Sequence, residues 1–259
     1  MPYTISETNL ERQHLLGQVL NPLTLKALDK ICLKTGSSIA DIGCGLGDTT
    51  IMLSEKFPGC ILTGVDQDAD LINAAADEKG VHANMKFITG NALQLPFPDN
   101  HFDLVFARYL LHHIPDVTAA MKEMKRVCKP GGIVLAHEPD VTYILSYPDC
   151  DAYTTLQKVV SSLFADAQLG RKLVSYFNSI ACKDIQYDIQ AVLAGPSSPL
   201  KKFYSMTAGA MTDAILAKEI MSRKEIEEWT NTLIKMQHDP QVIVMMHPSI
   251  AVWCIKPMI

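Results

Sequence analysis

The sequence predicts an α/β protein, a doubly wound and mostly parallel sheet with helical insertions forming a cap. Three observations predict it. Short apolar runs alternate with segments of helical periodicity between residues 37 and 138. Some of those runs are apolar at nearly every position, as in Leu104-Val105-Phe106-Ala107, which suits strands covered on both faces. Finally, Asp41, Asp66, Asn91, Arg108 and Glu138 fall at or just past predicted strand ends, which gathers five polar residues at one edge of the sheet. In open α/β sheets ligands bind beyond the carboxyl ends of the strands, where the strand order reverses.

The elements follow from local patterns. Glu7–Leu20 and Pro22–Leu33 have the spacing of two amphipathic helices, the second opening on proline at an early helical position. Strands are expected over Ser37–Ile42, Cys60–Asp66, Met85–Thr89, Phe102–Ala107 and Gly132–Glu138. Thr49–Lys56, Asp68–Lys79 and Asp116–Cys128 read as the helices between them. Beyond Glu138 the rhythm breaks. Asp151–Ala165, Arg171–Ala181, Pro199–Ile220 and Arg223–Gln237 have helical spacing, and Ile185–Leu193 alternates as a strand does. Ser222-x-x-Glu225 is a capping box, whose side chains satisfy free amides of a first helical turn. Val242–Met246 and Ala251–Ile255 read as a last strand or as a hairpin bent at Pro248. The expected organisation is one domain over 1–259, with N-terminal helices in 7–33. Its core takes in 37–138, 183–194 and 242–257, and its cap insertions are 140–170 and 195–240.

Composition narrows the class. A hydrophobic fraction of 48% and a charged fraction of 20% exclude disordered and collagen-like chains. A net charge of −5 argues against a general nucleic-acid binder, which needs a basic surface. The seven cysteines, at 32, 44, 60, 128, 150, 182 and 254, form no CxxC pair, and no His/Cys cluster has zinc spacing. No metal is expected. An odd, scattered set reads as reduced thiols in a cytoplasm. No apolar run reaches the roughly 18 residues of a membrane span.

The chemistry starts at Asp41-Ile42-Gly43-Cys44-Gly45-Leu46-Gly47, directly after the first apolar strand. Glycines 43, 45 and 47 permit positive φ and close approach of a ligand to the backbone. The dinucleotide fingerprint is G-x-G-x-x-G, and its third glycine position is here Asp48. One βα unit later Gly64-Val65-Asp66 ends a strand in a carboxylate able to accept two ribose hydroxyls. A helix cap is the plainer use of Asp66, but Asp68 already offers one. Gly90-Asn91-Ala92 follows the third strand, and Lys129-Pro130-Gly131-Gly132 precedes the fifth.

Taken together, residues 37–138 resemble the core of the class I S-adenosylmethionine (SAM)-dependent methyltransferases, of the small-molecule type found in ubiquinone and menaquinone biosynthesis. The resemblance implies a Rossmann-like fold with SAM across the strand ends and S-adenosylhomocysteine as product. It implies cofactor contacts at Asp41, Gly43, Gly45, Gly47, Asp66, Gln67, Asn91, Ala92 and Arg108. Asn91 and Ala92 would read the adenine edge, and Arg108 would pair with the methionine carboxylate or with substrate. Arg12 could reach over the cofactor, or lie on a solvated helix face.

His112, His113 and His137 are the candidate catalytic bases, with packing or capping as the alternative for the pair His112 and His113, and His137 competing with them for the role. Glu138 is the candidate substrate contact, for a substrate amine, with the ammonium side of SAM as the alternative. The segment Ala107-Arg108-Tyr109-Leu110 lacks the Asn/Asp-Pro-Pro-Tyr/Phe motif common in methylation of exocyclic or amide nitrogens. The expected partner is therefore a small, partly apolar metabolite with an O, C or N acceptor, not nucleic acid, and a homodimer is plausible. A SAM-binding regulator without turnover and a SAM-fold enzyme moving another group are the alternatives that the same residues leave open. An NAD-dependent dehydrogenase is disfavoured by Asp48.

Overall fold

A computed structural model describes residues 7–79, 84–196 and 198–258. Residues 1–6 and 259 of the expected domain, residues 80–83 of its expected core, and position 197 of the expected cap lie outside the described residues. The chain divides into two compact units. A sheet unit comprises Leu23–Pro139, Leu169–Ile189 and Ser249–Ile259, and a helical unit comprises Met1–Pro22, Asp140–Gln168 and Gln190–Pro248.

In chain order the first half runs α1 (Glu7–Leu28), β1 (Ser38–Ile42), α2 (Asp48–Lys56), β2 (Ile61–Asp66), α3 (Ala69–Lys79), β3 (Met85–Thr89), β4 (Phe102–Arg108), α4 (Val117–Val127) and β5 (Cys128–Pro139). The second half runs β6 (Leu145–Tyr147), α5 (Asp151–Leu163), α6 (Leu169–Ser179), β7 (Lys183–Gln190), β8 (Leu193–Ala194), α7 (Pro199–Ala210), α8 (Thr212–Ala217), α9 (Arg223–His238), β9 (Ile243–Met245) and β10 (Ser249–Ile255). A 3₁₀ turn, Leu111–His113, sits between β4 and α4.

Seven strands form one sheet in the order β3-β2-β1-β4-β5-β10-β7. The first five of these pair in parallel, and β10 runs antiparallel to β5. The order reverses between β1 and β4, so the carboxyl ends of those strands are where a ligand is expected. The strands are apolar on both faces because both faces are covered. Val105, Ala107, Val134 and Ala136 join the cluster beneath α4 and α6, with Met121, Met124, Leu173 and Phe177. The alternate residues Leu104, Phe106 and Leu135 join the opposite cluster, with Leu28 of α1 and Leu53 of α2. The doubly wound class expected from sequence is the fold observed.

Two glycines are explained by one ring. A Cβ on Gly64 would stand 2.6 Å from Phe87 Cδ1, and one on Gly47 would stand 2.8 Å from Phe87 Cε1. Gly47 also has φ +81° immediately ahead of α2. The third glycine of the turn therefore lets helix and sheet close around Phe87, one residue earlier than in the dinucleotide fingerprint.

Several expectations are revised. The two N-terminal helices are one, with Pro22 inside α1; a proline that could open a helix is here carried through one, at the loss of one backbone hydrogen bond. The 199–220 stretch is two helices, α7 and α8, meeting at Met211. Residues 243–245 and 249–255 form no hairpin: β9 pairs with β6 and β8 in a separate three-stranded sheet, whereas β10 lies beside β5. Leu169 and Gly170, the end of the expected 140–170 insertion, belong to the sheet unit as the start of α6, where Gly170 lets the helix approach β5 so closely that a Cβ would meet Glu138 O at 2.9 Å. Phe203, Tyr204 and Trp229 are buried in the helical unit, which is the core packing that their helical spacing suggests and not a revision.

The expected set of seven free thiols is also corrected. Cys182 and Cys254 are paired as a disulfide, 72 residues apart in sequence. Sheet order is the reason, since β7 is placed beside β10. Among the described residues no helix is long and apolar enough to cross a membrane. Gly64→Ala is expected to cost about 1–3 kcal/mol by overpacking against Phe87, read as a lower urea midpoint with unchanged slope.

Candidate active site

The glycine turn is tied to the end of β2. The amides of Gly43 and Cys44 both donate to Val65 O, at 2.7 and 3.0 Å. Gly43, Gly45 and Gly47 all have positive φ, +75°, +53° and +81°. The Gly45 amide donates to Asp66 Oδ2 at 3.0 Å, and the Asp68 amide donates to Oδ1 at 3.1 Å. Above Gly45 is open space, with no atom within 4 Å of where a Cβ would stand. Above Gly43 the space is taken by the Leu110 side chain, 2.7 Å from a Cβ position. Cys44 is buried, and burial pushes its thiol pKa up, so it packs and does not react.

Asp41 lies near the end of β1, 2% exposed, and accepts from Thr50 Oγ1 of α2 at 2.7 Å. Burial pushes its carboxyl up to about 6, while the Thr50 bond and the Arg108 charge pull the other way. Arg108 ends β4, half-buried, with its Nη1 donating to Thr24 Oγ1 of α1 at 3.3 Å. Desolvation lowers its pKa, and the Asp41 charge opposes that shift. Gln67 is exposed beside Asp66. Asn91 is exposed, and its Oδ1 accepts from the Leu93 amide at 2.9 Å in a tight turn. That oxygen keeps a second lone pair for a ligand. Ala92 packs partly buried against the core.

Glu138 is not where a substrate contact was expected. It is fully buried at the end of β5, and both oxygens are occupied. Oε1 accepts from the amides of Leu110 and Leu111, at 2.9 and 2.8 Å, and Oε2 meets His112 Nδ1 at 2.6 Å. Glutamate and imidazole together hold the first residues of the 3₁₀ turn. His112 is 2% exposed, a structural partner in this arrangement. His113 is exposed, with its ring against that of His112.

His137 is also buried, 1% exposed, between Thr24 Oγ1 at 3.1 Å from Nδ1 and Ser249 Oγ at 2.6 Å from Nε2. Burial and the neighbouring Arg108 push its pKa down to about 3, so it is a neutral hydrogen-bonding group at physiological pH. Tyr109 completes this cluster. Its hydroxyl lies 3.3 Å from Ser249 Oγ, and burial raises its pKa. Its φ of +53° is strained for an aromatic residue, at a cost of order 1–3 kcal/mol.

The strand ends thus bring together Asp41, Gly45, Asp66 and Arg108, all in the sheet unit. Thr24, Thr50 and Ser249 were not singled out from the sequence, and Tyr109 was noted only as part of the segment after β4. Thr24 had a signal: it is a hydroxyl between Leu23 and Ala27 on an otherwise apolar helix face.

With this geometry in place, part of the chain is similar to known methyltransferases. Residues 40–136 match the family described as "Methyltransferase domain". Demethylmenaquinone methyltransferase of Staphylococcus aureus is 38% identical over 107 residues, 41% of this chain and 44% of that protein. The matched region therefore spans less than half the length of that relative. Among solved structures, the Bacillus subtilis YcgJ protein superposes with a TM-score of 0.62 at 22% identity, covering 93% of this chain and 99% of that one. Haemonchus contortus phosphoethanolamine N-methyltransferase 2, solved with SAM, gives 0.59 at 20% identity, covering 93% and 53%. At these identities the structures speak for the fold.

Asp41 generates a pH prediction. Its folded pKa lies above the ordinary carboxylate value, so the folded protein holds the proton more tightly than the unfolded chain. That contribution is present at low pH and is lost as pH rises through about 6, by about 3 kcal/mol in all. Asp41→Asn is expected to remove this component of the pH dependence, read as the difference between the two proteins' unfolding free energies from pH 4 to 8.

Proposed function

We propose that the chain binds SAM on its sheet unit and transfers the methyl group to a small, partly apolar acceptor by in-line displacement. The Asp66 carboxylate carries this reading. It is fixed by two backbone amides, at 3.0 and 3.1 Å, and each oxygen retains a lone pair for a ribose hydroxyl. The open space over Gly45 gives a nucleoside room against the backbone beside that carboxylate. The residues present fit the ligand.

When bound, the sulfonium supplies an activated methyl and a neutral leaving group. The protein's part is to hold the reacting atoms in line and to exclude water. Arg108 brings a desolvated cation to the end of β4, with the Asp41 carboxyl near it. Such a pair of opposite charges suits a zwitterionic amino-acid tail. His112 and His137 shape the site through their buried bonds, and His113 is the exposed histidine of the three. An acceptor that arrives deprotonated needs no protein base. The identity to the S. aureus relative across the domain supports a small-molecule acceptor.

Calorimetric titration tests the reading. Micromolar binding of SAM and S-adenosylhomocysteine, with none of NAD, is the expected result, and absence of SAM binding overturns it. Asp66→Ala is expected to weaken SAM binding at least tenfold, about 1.4 kcal/mol. Tight binding with no methylated product from any acceptor would instead identify a SAM-binding regulator.

A further inference from the structure

Arg108 and Tyr109 are neighbours in sequence at the end of β4, and both are half-buried. A chain of side-chain hydrogen bonds runs from one to the other through the interior. Arg108 Nη1 donates to Thr24 Oγ1 at 3.3 Å, and Thr24 Oγ1 lies 3.1 Å from His137 Nδ1. His137 Nε2 lies 2.6 Å from Ser249 Oγ, and Ser249 Oγ lies 3.3 Å from the Tyr109 hydroxyl. The three middle groups, Thr24, His137 and Ser249, are 0%, 1% and 0% exposed. They come from α1, β5 and β10, more than a hundred residues apart in sequence.

A buried polar chain is a demanding thing to place under strand ends. Three apolar side chains would fill the space without any requirement for partners, whereas each polar group left unpaired costs its full desolvation. What such a chain provides is a single geometry, because every member fixes the next. Its two ends emerge at the edge of the sheet where the strand order reverses. One end is the cation that faces Asp41. The other is an aromatic residue held at φ +53°.

We propose that Thr24, His137 and Ser249 are positioning residues, forming a relay that holds the Arg108 guanidinium aimed at the carboxylate of the cofactor's amino-acid tail. The proposal rests on the SAM-binding reading above and adds residues to it that do not themselves touch the ligand. A neutral imidazole donates from one nitrogen and accepts at the other, so the hydroxyls on its two sides point the same way along the chain. Cutting the relay at Ser249, the link beyond His137, therefore loosens Arg108 as well. With His137 neutral at working pH, the relay orients and does not take up a proton.

The test compares two ligands on purified protein. S-adenosylhomocysteine carries the amino-acid tail, and 5′-methylthioadenosine keeps the nucleoside and sulfur without it. Arg108→Met is expected to reduce the preference for S-adenosylhomocysteine at least tenfold. Thr24→Val and Ser249→Ala are expected to reduce it about fivefold and about threefold, the scale of one hydrogen bond, with methylthioadenosine affinity unchanged. Thr24→Ser, which keeps the hydroxyl, restores it. Thermal midpoints of each variant identify any that unfold, and Thr24→Ser against Thr24→Val then decides.

A wild-type preference retained in both Thr24→Val and Ser249→Ala overturns the relay. So does an equal loss for both ligands, which marks a merely structural role. If the wild type binds neither ligand, the SAM reading itself falls, an outcome distinct from either.

Discussion

The turn after β1 is pinned to the end of β2 by three amides, two on the Val65 carbonyl and one on the Asp66 carboxylate. Backbone of this shape has three residues at positive φ within five positions, which L side chains with a Cβ rarely tolerate. The site's other features depend on that hook. It sets Gly45 against Asp66, so the carboxylate is oriented before any ligand arrives. It starts α2 at the correct place for Thr50 to reach Asp41. The hook is held by β1–β2 pairing, which in turn rests on the apolar clusters on both faces of the sheet.

Around this hook the strand ends carry more buried polar groups than the rest of the sheet. Asp41, His137 and Glu138 are each at most 2% exposed, and each has a different solution to that burial. Asp41 moves its pKa up and accepts a hydrogen bond from the Thr50 hydroxyl. His137 stays neutral between two hydroxyls. Glu138 gathers two amides and an imidazole, which converts a carboxylate into the anchor of the chain after β4. Glu138 and His112, which look catalytic in a linear sequence, here hold the start of the loop after β4.

Much of the sheet was legible in the sequence because its signals are local. Strands such as Leu104–Ala107 announce two-sided burial, and the spacing of Gly43, Gly45 and Asp66 announces a turn and an acid. What failed needed information from far away. Glu138 and His112 each have several plausible uses until β5 is laid beside β4 and the two side chains meet at 2.6 Å. Pro22 is compatible with a helix start or a carried-through helix, and only packing decides. The strand of residues 243–245 and that of 249–255 share one apolar character, so composition cannot show that they serve different sheets. Cys182 and Cys254 were unremarkable until sheet order made them neighbours.

The ring of Phe87 fills the space left empty at both Gly47 and Gly64. Three positions on β2, β3 and the start of α2 thus share a single volume. Their effects on stability should be strongly non-additive, with a smaller residue at 87 making room for a methyl at 64. An evolutionary path through these positions is correspondingly narrow: shrinking the ring first opens a void, and adding the methyl first creates a clash. The glycines of this turn are therefore constrained from beneath, by a neighbour in the sheet, as well as from above by whatever the open space receives.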